Sequence, residues 1–243
     1  MKTLRGLVFT AYFFVTMAIV GFWYLPAAIL SRDAALAGPR VWARALLWGL
    51  KHICGADVRI EGLENVPKGP VLIASKHQAM LDTVTPFIAF ARPAIILKRE
   101  LLNLPLYGYF AKRAGMIAID REGHAAALKA MLREARARMN DDRPVIIFPE
   151  GTRQEIGAKP DYKPGVAALY RDLGAPCVPV AVSTGLIWRT SGFVPEPGIA
   201  TIKFLEPIPP GMPRAAFMRE LESRIETASN QLAGIALPAR ETV

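Results

Sequence analysis

The chain opens on an unbroken apolar run and then changes rhythm. From Leu7 to Leu30 the sequence reads LVFTAYFFVTMAIVGFWYLPAAIL, without a charged side chain. As one helix, at about 1.5 Å per residue, this run reaches about 36 Å, against a hydrocarbon core of about 30 Å. Core helices of such length keep a polar stripe, so a membrane anchor is expected instead. Pro26 is expected to kink the helix or end it early, which leaves a half-inserted segment open beside a spanning one. Ala35-Leu36-Ala37 resembles a signal-cleavage site, but the apolar run is longer than a signal peptide's, and retention is the expectation.

The next stretch, Val41 to Cys54, has helical periodicity. Arg40, Arg44 and Lys51 fall on one side at 100° per residue, with Trp42, Leu46, Leu50 and Ile53 opposite and Leu47 and Trp48 at the border. Two uses of such a helix remain open: lying among anionic headgroups, or packing on the domain.

Beyond Gly55, short Ile- and Val-rich runs alternate with helical stretches. Strands are predicted at Val58–Gly62, Val71–Ser75, Ala94–Lys98, Met116–Asp120, Val145–Phe148, Cys177–Val182 and Ala200–Phe204. Helices are predicted at Met80–Ala91, Leu106–Ala114, Gly123–Met139, Val166–Leu173 and Arg214–Leu232. Alternation of this kind gives an α/β single domain with a mixed, largely parallel central sheet flanked by helices. It occupies residues 55–243, preceded over residues 1–54 by an N-terminal membrane-binding helical pair. No repeat or linker divides it.

Charge adds a partner class. The 30 Lys and Arg residues exceed the 21 Asp and Glu, a net of +9. That balance points to an anionic membrane or a phosphorylated substrate. Nucleic acid is not expected, because no basic run with interleaved aromatics occurs. Lys2 and Arg5 precede the apolar run, while Arg32, Arg40, Arg44 and Lys51 follow it, which favours an inner-membrane protein with its catalytic domain facing the cytoplasm. Cys54 and Cys177 lack metal-ligand spacing and read as buried free thiols. With three histidines in all, little material exists for a metal site, and none is expected.

Three polar clusters stand where strands end, the place where open α/β sheets hold ligands. Ser75-Lys76-His77-Gln78-Ala79-Met80-Leu81-Asp82 sets an imidazole just past a strand and a carboxylate at a helix start. The carboxylate can hold one ring nitrogen as N–H and leave the other to accept a proton. Such a base-and-orienter pair lacks a protein nucleophile, a role that a substrate hydroxyl can fill. Phe148-Pro149-Glu150-Gly151-Thr152-Arg153 offers close backbone approach at Gly151 and hydroxyl and guanidinium donors for a phosphate. Lys98, Arg99 and Glu100 lead on to Gly115 and Arg121, at a strand end and helix start suited to an anion.

Taken together, these clusters resemble the glycerophospholipid acyltransferase family. His77 and Asp82 match its first motif, a His and an Asp separated by four residues. Arg121, with Gly115 upstream, looks like the second, Phe148-Pro149-Glu150-Gly151 the third, and Val178-Pro179-Val180-Ala181 the apolar fourth. Many members carry Asn where this chain has Lys76, a difference that bears on phosphate contacts or substrate choice.

The resemblance implies His77 as general base and Asp82 as its orienter. It implies a substrate-binding set of Arg121, Glu150, Gly151, Thr152, Arg153 and Lys76, and an acyl channel bordered by Val178 and Pro179. Unnamed backbone N–H groups would hold the oxyanion. The acyl donor is acyl-CoA or acyl-carrier protein as co-substrate, the acceptor a lysophospholipid, and no cofactor is needed. A lyso-aminolipid acyltransferase, a thioester hydrolase and a non-catalytic scaffold are the alternatives.

Overall fold

A computed structural model of the chain describes residues 2–120, 123–190, 192 and 194–235. All seven predicted strands are present: β1 Ala56–Glu61, β2 Leu72–Ser75, β3 Ala94–Lys98, β4 Ile117–Ile119, β5 Val145–Ile147, β6 Cys177–Val182 and β7 Gly198–Phe204. They form one sheet in the order β1-β7-β6-β2-β5-β3-β4. Every neighbouring pair is parallel except β6 with β7, which is antiparallel. Register places Leu72 of β2 opposite both Val145 of β5 and Cys177 of β6. The carboxyl ends of β2, β5 and β6 therefore open onto one edge, which gathers the polar segments that follow them.

The helices are α1 Lys2–Leu30, α2 Arg32–Gly49, α3 Leu81–Val84, α4 Pro86–Ala89, α5 Tyr107–Arg113, α6 His124–Asn140, α7 Gly165–Leu173 and α8 Arg214–Leu232. The single helix expected over Met80–Ala91 is broken in two. Pro86 has no N–H to return to the carbonyl of Asp82, and α4 starts afresh from it. One layer of the core holds Met131, Val166, Leu169, Phe217 and Leu221, packed beneath β2, β5 and β6. The other face of the sheet, with Ile73, Ile146, Val178 and Val180, packs toward Phe87 and Phe90.

Two expectations for the N-terminal region change. Pro26 does not end the first helix, which includes it and runs on to Leu30. Its ring sits on the exposed side, so the hydrogen bond lost to Phe22 is lost where nothing packs. The second helix starts at Arg32, not near Val41, capped by the Ser31 hydroxyl, which accepts from the Asp33 N–H at 3.2 Å. It passes through one π-helical turn, Leu50–Cys54.

The basic stripe is largely engaged with the domain: Arg40 donates to the carbonyl of Ala91, and Lys51 pairs with Asp57 at 2.8 Å. Arg44 stays exposed. Phe9, Phe13, Leu46 and Leu50 share one apolar cluster with Ala79, Leu81 and Trp188, so the helical pair is part of the same core as the sheet domain. At the other end of α1, Arg113 donates to the carbonyls of Ala28 at 2.9 Å and Ile29 at 2.8 Å, satisfying acceptors that a helix end leaves open. The flank of α1 opposite Phe9 and Phe13 exposes Leu4, Val8, Val15, Ile19 and Phe22. Cys54 and Cys177 are free and buried, as expected.

Candidate active site

His77 follows β2 directly and stacks on Phe148, which follows β5, with ring centroids 4.4 Å apart and planes at 29°. Its Nδ1 lies 3.1 Å from Asp82 Oδ2. The same oxygen accepts the backbone N–H groups of Gln78 at 2.7 Å and Ala79 at 2.8 Å. Asp82 Oδ1 accepts from the Thr184 hydroxyl at 2.6 Å. The side chain of Asp82 is wholly buried and that of His77 is 14% exposed. A buried carboxylate with four donors around it is an acceptor only, and Nδ1 beside it carries the proton. Nε2 is thereby left as the acceptor, on the ring that reaches the surface. Among the described residues, no serine, threonine or cysteine side chain hydrogen-bonds His77.

The Phe148–Gly151 segment is a tight turn. Pro149 presets its second position, the Gly151 N–H donates to the Phe148 carbonyl at 3.0 Å, and Gly151 has φ +73. The turn carries Glu150 inward. Glu150 Oε2 accepts the backbone N–H of His77 at 2.8 Å, and Oε1 accepts from Lys76 Nζ at 3.1 Å. Lys76 Nζ also sits 2.7 Å from both oxygens of Glu226 on α8, and the Tyr162 hydroxyl donates to Glu226 Oε1 at 2.9 Å. Burial pushes the Glu150 carboxyl above the usual carboxylate range, against the opposing pull of Lys76 and the His77 N–H. The Tyr162 phenol is pushed up by burial first and then by Glu226.

Lys76 and Glu150, expected at the phosphate, are therefore inside the protein at 2% and 1% exposed, with protein partners on their charged ends. Their placement is that of a scaffold beneath His77, because a buried ammonium needs carboxylates rather than open solvent. Thr152 and Arg153, by contrast, are exposed just past the turn. Arg121 lies outside the described residues. Ile119, shortly before it, ends β4 on the same edge of the sheet. Lys98 pairs with Glu100 at 3.3 Å and Arg99 with Asp120 at 3.3 Å, both at the surface.

Val178 is fully buried in β6, on the face toward α4, and Pro179 is buried on the opposite face. The narrow cleft under the site is lined by Val180 rather than by either of them, together with Ile73, Phe90 and Phe204, and it reaches Asp82. The backbone N–H groups of His77, Gln78 and Ala79 are already committed to carboxylates, so none of these three is free for an oxyanion.

Sequence reasoning missed Thr184, Tyr162 and Glu226. Thr184 had a signal, since it follows the apolar strand β6 at the edge shared with His77. For α8 the signal was its stripe: Phe217, Leu221, Ile225 and Ser229 recur every fourth residue on the buried face, with Glu226 beside it.

The geometry defines a class by its chemistry: a His–Asp pair to which, among the described residues, no protein nucleophile is bonded, set on the carboxyl edge of a mostly parallel α/β sheet where it can accept a proton from a bound group. A sequence family described as Acyltransferase matches residues 57–183, which is more than half the chain, and the chain belongs to that family. A relative from Pseudomonas aeruginosa named 1-acyl-sn-glycerol-3-phosphate acyltransferase is 34% identical over 157 residues, 65% of this chain and 61% of that one. The human protein named 1-acyl-sn-glycerol-3-phosphate acyltransferase alpha is 31% identical over 182 residues, 72% of this chain and 64% of that one. The chain thus spans about six-tenths of the length of the curated relatives it matches. The fold is that of the crystal structure of the 1-acyl-sn-glycerophosphate (LPA) acyltransferase PlsC from Thermotoga maritima, with TM-score 0.79 and 23% identity, covering 98% of this chain and all of that one.

Proposed function

We propose that this chain transfers a fatty acyl group from an acyl thioester to the free hydroxyl of 1-acylglycerol-3-phosphate, giving phosphatidic acid. The observation that carries the reading is the His77–Asp82 pair, whose ring is 14% exposed and, among the described residues, has no protein nucleophile bonded to it. His77 Nε2 takes the proton of the glycerol hydroxyl as its oxygen attacks the thioester carbonyl. The tetrahedral adduct collapses, the C–S bond breaks, and the imidazolium returns the proton to the thiolate. Asp82 keeps the ring oriented and stabilises the imidazolium between the two steps. Arg121, Thr152 and Arg153 hold the phosphate, with Gly151 allowing close approach. Lys76 and Glu150 act from behind, Glu150 fixing the backbone of His77. The acyl chain runs along the apolar cleft lined by Ile73, Val180 and Phe204, with Val178 behind Val180 on the same face of β6 and Pro179 on the other face. The donor is acyl-CoA or acyl-carrier protein.

The relatives named for this activity support the acceptor. Support for membrane residence comes from the one helix among the described residues, Leu4–Leu30, that is long and apolar enough to cross a membrane. Both ends of α1 contact the domain, Phe9 against Trp188 with centroids 5.5 Å apart and the Ala28 carbonyl on Arg113. A spanning helix would carry one end about 30 Å from the domain. The reading is therefore a helix lying in the inner-membrane interface, its Val8, Val15, Ile19 and Phe22 flank in lipid and the domain on the cytoplasmic side.

The test is a stoichiometry. Purified protein in detergent receives a thioester and 1-acylglycerol-3-phosphate, a lyso-aminolipid, or no acceptor. One phosphatidic acid per thiol released supports the reading. Thiol with free fatty acid and no acceptor requirement makes the chain a hydrolase, and acylation of the aminolipid alone names a different acceptor.

A further inference from the structure

Thr184 is fully buried and sits immediately past β6, far from His77 and Asp82 in sequence. Its position is fixed on both sides. Ser183 donates its N–H to the Thr201 carbonyl at 2.9 Å and accepts the Thr201 N–H on its hydroxyl at 2.9 Å. The Thr184 carbonyl accepts the N–H groups of Ile187 at 3.2 Å and Trp188 at 2.9 Å. From this anchored backbone the hydroxyl donates 2.6 Å to Asp82 Oδ1, the oxygen that does not face His77.

The neighbours grip the same segment. Gly185 donates its N–H to the Gln78 side-chain oxygen at 3.1 Å, and the Thr190 hydroxyl donates to the Gln78 carbonyl at 3.1 Å. Gly185 has no room for more: a Cβ there would lie 2.9 Å from the Ile156 side chain.

We propose that Thr184 is a positioning residue of the general base, holding Asp82 by its second oxygen so that the first stays aimed at His77 Nδ1. The inference rests on the base reading of His77 given above. It also sets how strongly Asp82 grips the imidazolium. A donor on Oδ1 draws negative charge from the carboxylate, and its removal leaves Asp82 holding the His77 proton more tightly. Other charged groups near His77 are Glu150, on its backbone N–H, with Lys76 and Glu226 behind that carboxylate. None of these contacts Thr184.

Thr184→Val replaces the hydroxyl with a methyl of similar shape, and Thr184→Ser keeps the donor. In the full chain in detergent micelles, kcat for Thr184→Val falls by about 10- to 100-fold, the range of a hydrogen bond to a charged group. Both KM values stay within about threefold, because the hydroxyl touches neither substrate. Thr184→Ser recovers to within about threefold of the wild type. The second readout is the titration of the His77 ring, followed by nuclear magnetic resonance with labelled histidine and identified by its loss in His77→Gln. It moves up by about one pH unit in Thr184→Val and returns in Thr184→Ser.

An unshifted titration, or a serine variant as impaired as the valine one, overturns the proposal. If Thr184→Val does not fold, Thr184→Ala is measured the same way and decides by the same two results. Full activity in His77→Gln would sink the base reading instead, and the ring titration of the valine variant still reports on the hydrogen bond.

Discussion

Removing the ammonium at Lys76 tests the buried charge cluster beneath His77. In the wild type Lys76 Nζ lies 3.1 Å from Glu150 Oε1 and 2.7 Å from both oxygens of Glu226, with side-chain exposures of 2% for Lys76, 0% for Glu150 and 16% for Glu226. Lys76→Met keeps most of the volume and strips the charge, leaving two carboxylates facing each other. Breaking one side of a buried ion pair costs about 3–5 kcal/mol. In a chain of this size about 2–4 °C of melting temperature goes with each kcal/mol, so the variant melts about 6–20 °C below the wild type near pH 7.5.

The loss depends on pH with a definite sign. Burial already raises the Glu150 carboxyl, and without Lys76 nothing opposes that push except the His77 N–H. Its folded value then lies above the unfolded one of about 4.3. Folding takes up a proton in that window, so the variant is most stable below it and loses stability as pH rises through the folded value. Part of the gap to wild type should therefore close near pH 5.5. Thermal melts of both proteins in one detergent at the two pH values measure this. Equal melting temperatures near pH 7.5, or a gap that widens toward acid, would refute the reasoning.

Asp82→Ala is severe alone, yet adds little to His77→Ala, because the carboxylate works through the ring; additive losses in kcat would separate them. Activity survives prolonged chelation, since the proposed chemistry uses a base and hydrogen-bond donors. Complete loss restored by a stoichiometric transition metal would contradict that. The protein stays with membranes in high salt and leaves in detergent, because the exposed Val8, Val15, Ile19 and Phe22 flank is apolar. Recovery in the salt wash would leave only electrostatic attachment.

Local pattern carried most of the architecture. Ile- and Val-rich runs bounded by Gly or Pro were enough for β2, β3, β5 and β6, and the four-residue recurrence of Phe217, Leu221 and Ile225 for α8. The His77–Asp82 pair was legible because its partners stand five apart, a distance that one turn and a helix start can close. What stayed hidden is non-local. Lys76 meets Glu226 across 150 positions and Asp82 meets Thr184 across 102, contacts set by sheet order rather than spacing. That is why the sequence shows Lys76 and Glu150 beside His77 but not the partners that bury them. The two uses left open for the Arg40–Lys51 stripe have the same cause: periodicity shows which side of a helix they share, not that Ala91 and Asp57 wait on it.

In the proposed function His77 is the base for acyl transfer to a lysolipid hydroxyl. The direct measurement is kcat for phosphatidic acid formation from 1-acylglycerol-3-phosphate and a thioester, for the wild type and for His77→Ala. The variant's fold and membrane association are verified first. General-base assistance is worth about 10²–10⁴-fold, so kcat should fall by at least that order with the acceptor KM little changed. A His77→Ala protein that makes phosphatidic acid within a few-fold of the wild-type rate would contradict it.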